Sequence, residues 1–336
     1  MDSPPPAPAT ISAVYNDILQ SHILTRLDGP SLASVASASS DLHSLSADDK
    51  LWQNICTSTW PSINDSLISS VISTFPSGHR SFFSDAYPLI HHHDNSHASL
   101  DISTFPATTE LISAVDIYYR DSPIFSKVER TETVTGWFNS SPFRVDLLGP
   151  KEFVPAWIQQ YGEEDLRIHQ MEQNVSLSWI LIDPKRKRAV NLSSRKAVAV
   201  QRHWLTGEVQ VRFAVILAGE GKESESEYVK CEVVVTCGGK GGEDVHVRDV
   251  SLTMEDMEGK GLNGKDSLVI LREAMEKGER RKLRDGIEGK EKFRGFLEKK
   301  RERKEKLQRR EKVLDWVCIA TGVNCFIAFW SYMIFG

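Results

Sequence analysis

The chain has 336 residues, 40% hydrophobic and 26% charged, a balance that excludes wholesale disorder and allows about two domains with accessory segments. The formal net charge of −5 conceals an asymmetry: Glu273 to Lys312 carries 17 Lys/Arg against 10 Asp/Glu, so the remainder is more acidic than the total. Five cysteines (Cys56, Cys231, Cys237, Cys318, Cys325) form no C-x-x-C pair, which argues against a disulfide framework or zinc site and fits a reducing compartment.

The opening MDSPPPAPAT has neither a basic nor an apolar region of a secretory signal, and its prolines predict a disordered leader over 1–10. From Ile11 to Pro61 the apolar residues recur at helical spacing, and three short helices are expected. The first runs from Val14 to Leu27, with Ile18, Leu19, Ile23, Leu24 and Leu27 on one side. Asp28-Gly29-Pro30 breaks it, since glycine tolerates a helix exit and proline suits the first turn of the next helix. A second helix is predicted over Ser31–Ser39, around Leu32, Val35 and Ala36. The third is expected to start at Ser46, with Asp49 completing a capping box, and to end at Trp60-Pro61. Its stripe is Leu51, Trp52, Ile55, Cys56 and Thr59. So short a bundle cannot bury enough surface to stand alone, and it needs a neighbour in the chain or a partner.

The run Ile23-Leu24-Thr25-Arg26-Leu27, then Ser31-Leu32, Leu42 and Leu51-Trp52, resembles an F-box. DGPSLASVASASSDLHSL and LWQNICTSTWPS resemble the plant F-box proteins in particular. The family's Leu-Pro pair falls at Tyr15-Asn16, so its proline is absent here. The resemblance implies a module that binds the Skp-family adaptor of a Skp–cullin–F-box (SCF) ubiquitin ligase. Leu19, Ile23, Leu24, Leu27, Leu32 and Trp52 would hold that adaptor, and the cullin scaffold would follow as an indirect partner.

Residues 62–106 are read as a short apolar helix (Leu67, Ile68, Val71, Ile72, Phe75) followed by a Ser/His-rich linker. His91, His92, His93 and His97 lie in a polar stretch with nothing to hold metal ligands in fixed geometry, so a solvated loop and no metal site is expected. Over 107–256 the pattern changes to period two. Phe143, Val145, Leu147; Val175, Leu177, Trp179, Leu181; Val209, Val211, Phe213, Val215, Leu217; and Val229, Cys231, Val233, Val235 all alternate with polar neighbours. Such alternation predicts antiparallel strands with one buried face, and an antiparallel β-sandwich-like domain.

Lys185-Arg186-Lys187-Arg188 follows Asp183-Pro184 and is read as an exposed hairpin tip, ahead of a nuclear-import patch or a nucleic-acid contact. Arg202-His203-Trp204 stands beside a turn at Thr206-Gly207. Packing of Trp204 in the β-domain is the first expectation and a binding hot spot the second, and Arg202, His203 and Trp204 are the candidate substrate contacts. GKGLNGKD (259–266) has the glycine and lysine spacing of a phosphate loop, but Asp266 replaces the required Ser/Thr and would repel phosphate. No cofactor is expected.

Residues 266–312 are read as a charged, solvated helical stalk, with Glu302–Lys306 and Glu305–Arg309 in the favourable i,i+4 order. The apolar stretch 316–335 lacks charge, is long enough to cross a bilayer, and carries Trp316 at one end with Trp330 and Tyr332 near the other. It makes 313–336 a transmembrane tail anchor, with the basic run and the bulk of the chain on the cytosolic side. The endoplasmic reticulum membrane is the expected location, with nucleus or cytosol as alternative.

The expected architecture is therefore α+β and multidomain: a three-helix F-box, an antiparallel β-domain, a charged helix and a transmembrane helix. The expected function is a non-catalytic substrate receptor of an SCF ligase, with a protein substrate, no nucleic-acid partner and a membrane attachment. The alternative is a membrane-tethered binding or scaffold protein without ligase function.

Overall fold

Period-two alternation and helical spacing both become real elements, but one sheet is apolar on both of its faces, and this decides the architecture. The computed structural model describes residues 15–91, 107–158, 164–219, 228–239, 245–281 and 287–335.

The chain starts with α1 (Asn16–Ile18), which continues unbroken as a π turn (Leu19–Ile23) and a 3-10 turn (Leu24–Arg26). Four helices follow: α2 (Gly29–Ala36), α3 (Ser40–Ser46), α4 (Asp49–Thr59) and α5 (Ser66–Ile72), with a 3-10 turn at Pro61–Asn64. A further helix, α6, spans Gly78–Ala86. Two expectations need correction here. The predicted second helix ends early, at Ala36, and an unpredicted helix α3 follows it, opened by Ser39, which accepts from Leu42 N at 3.2 Å. Ser46 ends α3, and Asp48 is the residue that caps α4, accepting from Lys50 N at 3.0 Å. Asp49 is drawn away from the capping box by His79, whose N and Nδ1 lie 2.8 and 2.9 Å from its carboxylate.

Among the described residues, twelve strands form three antiparallel sheets. β1 (Leu89–His91) pairs with β12 (Glu279–Arg281). The four-stranded sheet has the order β3-β2-β6-β7, from β2 (Glu110–Tyr119), β3 (Ser122–Glu132), β6 (Val175–Asp183) and β7 (Arg188–Asn191). Arg120 and Asp121, both at positive φ, make the two-residue hairpin between β2 and β3. The six-stranded sheet runs β4-β11-β10-β9-β8, with β5 also on β11. Its strands are β4 (Arg144–Asp146), β5 (Val154–Ile158), β8 (Ala199–Arg202), β9 (Val209–Ala218), β10 (Tyr228–Gly238) and β11 (Val245–Glu255). Short helices α7 (Gly136–Ser140) and α8 (Glu164–Asn174) lie between strands.

The alternating residues do what their pattern demands. Leu177, Trp179 and Leu181 of β6 meet Val211, Phe213, Val215, Val233 and Val235 in one apolar core shared by the two larger sheets. The residues in between are apolar too: Ile112, Ala114, Ile180, Ile182 and Ala189 point the other way, into a second core built by the helices. β2, β6 and β7 of the four-stranded sheet are therefore buried on both faces, while its edge strand β3 is mostly exposed or half-buried. Near-continuous apolar runs such as Trp179–Ile182 are the signature of such a strand.

After β11 the expected solvated stalk divides. α9 (Gly264–Lys277) buries Leu268, Ile270, Leu271, Ala274 and Met275 in the sheet core, because its apolar residues recur at helical spacing on one face. α10 (Ile287–Phe335) is a single 49-residue helix. Its first turns are anchored by buried Phe293 and Phe296, and by Lys290–Glu172 at 2.6 Å and Lys300–Glu255 at 2.8 Å. From Arg301 onward its residues stand in solvent, with the Glu305–Arg309 pair at 3.8 Å, and its apolar end is long enough to cross a membrane.

Candidate functional site

The helical module is held from within by aromatic and aliphatic side chains. Asp28 caps α2, its Oδ1 accepting from Ser31 N at 2.9 Å, and Pro30 occupies the first turn. That hydrogen bonding, first from Ser31, holds the Asp28 carboxyl below its ordinary value. Gly29 lies against the tip of the Phe83 ring, where an added Cβ would come within 2.0 Å of Cζ. Trp52 stacks obliquely on Phe83 with centroids 5.3 Å apart and donates from Nε1 to the Ser46 carbonyl at 2.7 Å. Trp60, at 5.7 Å from Phe83 and 6.0 Å from Phe82, completes the cluster. Phe82 and Phe83 come from α6, so the module's core reaches beyond residues 11–61. The cue in the sequence was Phe82-Phe83 followed by Ala86, which fits a buried helix face.

The candidate adaptor residues divide by location. Leu19, Leu24, Leu32 and Trp52 are buried, Leu27 is half-buried, and Ile23 stands in solvent at 44% exposure. Ile18 and Tyr15 are exposed beside it. The intervening π turn, bonded i to i+5, brings Ile18 and Ile23 toward the same side. Asn16, where the resembled family has proline, is the first residue of α1, a position that also suits proline.

Two buried carboxylates join this module to the sheets. Asp116 of β2 accepts from Ser62 N (2.9 Å), Ser62 Oγ (2.6 Å) and Ser126 Oγ (2.7 Å). Asp85 of α6 accepts from Ala189 N at 3.1 Å and pairs with Arg188 (3.2 Å) and Arg280 (3.1 Å). Burial raises both carboxyls above their ordinary value, outweighing Ser62 at Asp116 and Arg280 at Asp85. Arg195 adds a third tie, donating to Tyr87 O at 2.9 Å while lying over the Tyr87 ring.

The basic run corrects the expectation of an exposed tip. Asp183 Oδ1 accepts from Lys185 N and Arg186 N, and Lys187 turns the chain at φ 56°. The Arg186 side chain is only 4% exposed and faces Glu276 at 3.3 Å, while Arg188 reaches Asp85 and the Met275 carbonyl. Partners 87 to 103 residues away turn these arginines inward. In GKGLNGKD, Asn263 caps α9 by accepting from Asp266 N at 2.8 Å, and Gly264 packs so closely that a Cβ would lie 2.2 Å from Phe138 O. Glycine serves close helix approach there.

The β8–β9 turn overturns the packing expectation for Trp204. Trp204 is 87% exposed and Leu205 is exposed beside it, because the tight turn projects them past the end of the sheet. Hydrogen bonds close the turn: His203 N donates to Glu208 O at 2.7 Å, His203 Nδ1 accepts from Thr206 N at 3.2 Å, and Arg202 Nε donates to Gly207 O at 3.1 Å. Gly207 adopts φ +75°. The His203 and Trp204 rings are near-parallel, 6.5 Å apart. Thus Arg202, His203 and Trp204 form one outward-facing surface, far in sequence from the module.

No group of three or more metal-ligating side chains occurs among the described residues. His92, His93 and His97 lie outside them, and His91 is described only through the backbone of β1. Burial pushes the thiols of Cys56 and Cys237 up to about 12, which makes them poor nucleophiles.

Comparison with known proteins found no matching family model and no matching solved structure. Three curated proteins of Arabidopsis thaliana are similar over nearly the whole chain. F-box protein At2g27310 is 44% identical over 340 residues, covering 97% of this chain and 96% of the relative. F-box protein At3g44326 is 46% identical over 310 residues, 90% of this chain and 84% of the relative. Probable F-box protein At2g36090 is 46% identical over 319 residues, 94% of this chain and 91% of the relative.

Proposed function

The chain belongs to the plant F-box protein family, and from that premise we propose that it is the substrate-recognition subunit of an SCF-type ubiquitin ligase. The helical module would bind the Skp-family adaptor, and through it the cullin scaffold. The observation that carries this reading is the apolar edge of Tyr15, Ile18 and Ile23, left in solvent by a module whose other large apolar side chains are mostly packed. Exposed apolar residues grouped at one edge are what a protein partner covers. Ile23 and Leu27 would touch the adaptor, while Leu19, Leu24, Leu32 and Trp52 would hold the helix beneath them in place.

The sandwich-like β-domain would present a target protein, with Arg202, His203 and Trp204 as contacts. The module and the β-domain share a buried interface, so a target bound on one is held at fixed distance from an adaptor bound on the other. The contribution is proximity, with chemistry on other subunits. The apolar end of α10 would anchor the assembly in a membrane, with the bulk of the chain on the cytosolic side and the endoplasmic reticulum as the proposed location.

Capture of purified Skp-family adaptor by the full chain tests the ligase reading. Wild type should retain it, and the Ile18→Asp/Ile23→Asp variant should lose it. Equal recovery by both, or none by wild type, overturns the reading. Asn16 in the family's proline position favours one second reading, a membrane-tethered scaffold without ligase function, and failed capture by wild type would point to it.

A further inference from the structure

Two sheet edges lie open beside one another. β3 pairs with β2 along one side, and no strand pairs with its other side among the described residues. β4 is likewise the last strand of the six-stranded sheet and pairs only with β11. Between Glu129–Glu132 of β3 and Arg144–Asp146 of β4 is a groove of about 330 Å³. Phe138, Phe143 and Val145, all buried core residues, form its floor. Trp137 stands on its rim at 78% exposure. Further along, Lys127 of β3 reaches Glu152, in the segment between β4 and β5, at 3.1 Å, and β5 packs near β3, so the opening is at the 129–132 end.

Glu129 is directed into the space between the sheets. Its register partner is Ser113, whose hydroxyl accepts from core Trp179, and residues directly opposite in a sheet point to the same face. The cations of the groove already have partners: Arg130 pairs with Glu110, and Arg144 with Asp146 at 2.7 Å. Glu129 has no ion pair among the described residues. The groove thus combines unpaired strand backbone, an apolar floor, an exposed indole and a surplus carboxylate.

We propose that this groove binds an extended segment of a partner protein, added as a strand along the free edge of β3, with a Lys or Arg side chain lying over the apolar floor. The backbone edge supplies hydrogen bonds to any extended chain, and the pocket supplies selectivity. A long basic side chain fits both parts of the pocket: its methylene stem covers Phe143 and Val145, and its cation meets Glu129 and the face of Trp137. An acidic side chain would set a like charge against Glu129. The site lies at the β4 edge of the sheet, opposite the β8 edge that carries Trp204. It rests on the reading of the β-domain as the part that presents a target.

The test uses the full chain in detergent micelles and short blocked, fluorescent peptides of alternating Thr and Val with one central Arg, Lys, Leu or Glu. Anisotropy should show the Arg and Lys peptides binding about ten-fold or more tighter than the Glu peptide. Glu129→Gln should abolish that preference, and Trp137→Ala, at an exposed position, should weaken binding of the basic peptides with the fold intact by circular dichroism. N-methylation of alternate peptide nitrogens should remove binding if the segment adds as a strand. Equal binding of Arg and Glu peptides, no binding of either, or an unchanged preference in Glu129→Gln overturns the proposal. Adaptor capture on the same preparations separates the two readings. Adaptor retained without peptide selectivity defeats only the groove, and selectivity without adaptor defeats only the ligase function.

Discussion

Ser62 and Asp116, 54 residues apart, are joined by two hydrogen bonds: the Ser62 backbone N–H and hydroxyl both donate to the buried Asp116 carboxylate. Ser62 lies in the 3-10 turn of the helical module and Asp116 within β2, so the contact couples the two regions and predicts that they unfold together. Asp116→Ala would strand those donors and the Ser126 hydroxyl in the interior, costing about 3 kcal/mol. Urea unfolding should then show one transition shifted for both regions. A helical transition that stays put while the sheets weaken would show that they fold separately.

The same carboxylate predicts a pH effect. Burial raises the folded Asp116 pKa above the unfolded value near 3.8, so the folded chain binds that proton more tightly. This contribution to stability is full below the unfolded value and is lost as pH rises through the raised folded value. Asp116→Asn, which cannot titrate, should therefore give a stability curve lacking that decline. Parallel curves for wild type and variant across this window would refute the assignment.

Position within the module predicts two different phenotypes. Trp52→Ala removes a fully buried indole and should cost about 3–5 kcal/mol. Ile23→Asp, at an exposed site, should change stability by no more than about 0.5 kcal/mol. Thermal melts paired with adaptor capture would reveal the difference, and equal destabilisation by the two would contradict the burial assigned here.

Phe296 fixes the docked part of α10. Phe296→Ala should weaken that docking by about 3 kcal/mol, read as faster amide exchange over 287–300. Lys306→Ala, on the solvated part, should leave exchange there unchanged. Equal effects would mean that the aromatic contact is not what holds the helix.

Carbonate extraction of membranes from expressing cells tests the apolar end of α10. The full chain should stay in the pellet, and a chain truncated after Lys312 should be released. Release of both would rule out an anchor.

What could be read from the residues alone was whatever depends on near neighbours. Alternation in Val209–Leu217 and Val229–Val235 produced β9 and β10, because a strand's two faces are set by a two-residue period. Asp28-Gly29-Pro30 encoded the start of α2, and the charge-free run after Asp315 encoded a helix suited to hydrocarbon. The F-box likeness was also local, carried by short runs between Ile23 and Trp52.

Contacts between distant residues decided the rest. Hydrophobic spacing could not say that Leu24 faces inward while Ile23 faces water, since both are aliphatic and adjacent. Arg186 and Arg188 resembled a solvated tip until Glu276 and Asp85 supplied buried counter-charges from remote elements. Trp204 resembled a core residue until the turn carried it beyond the sheet. The apolar outer face of β2 and β6 was visible in Ile112, Ala114, Ile180 and Ile182, but only the folded chain shows that the helical module covers it. Burial is a property of the whole arrangement, and a residue's own chemistry sets its cost or gain without choosing its side.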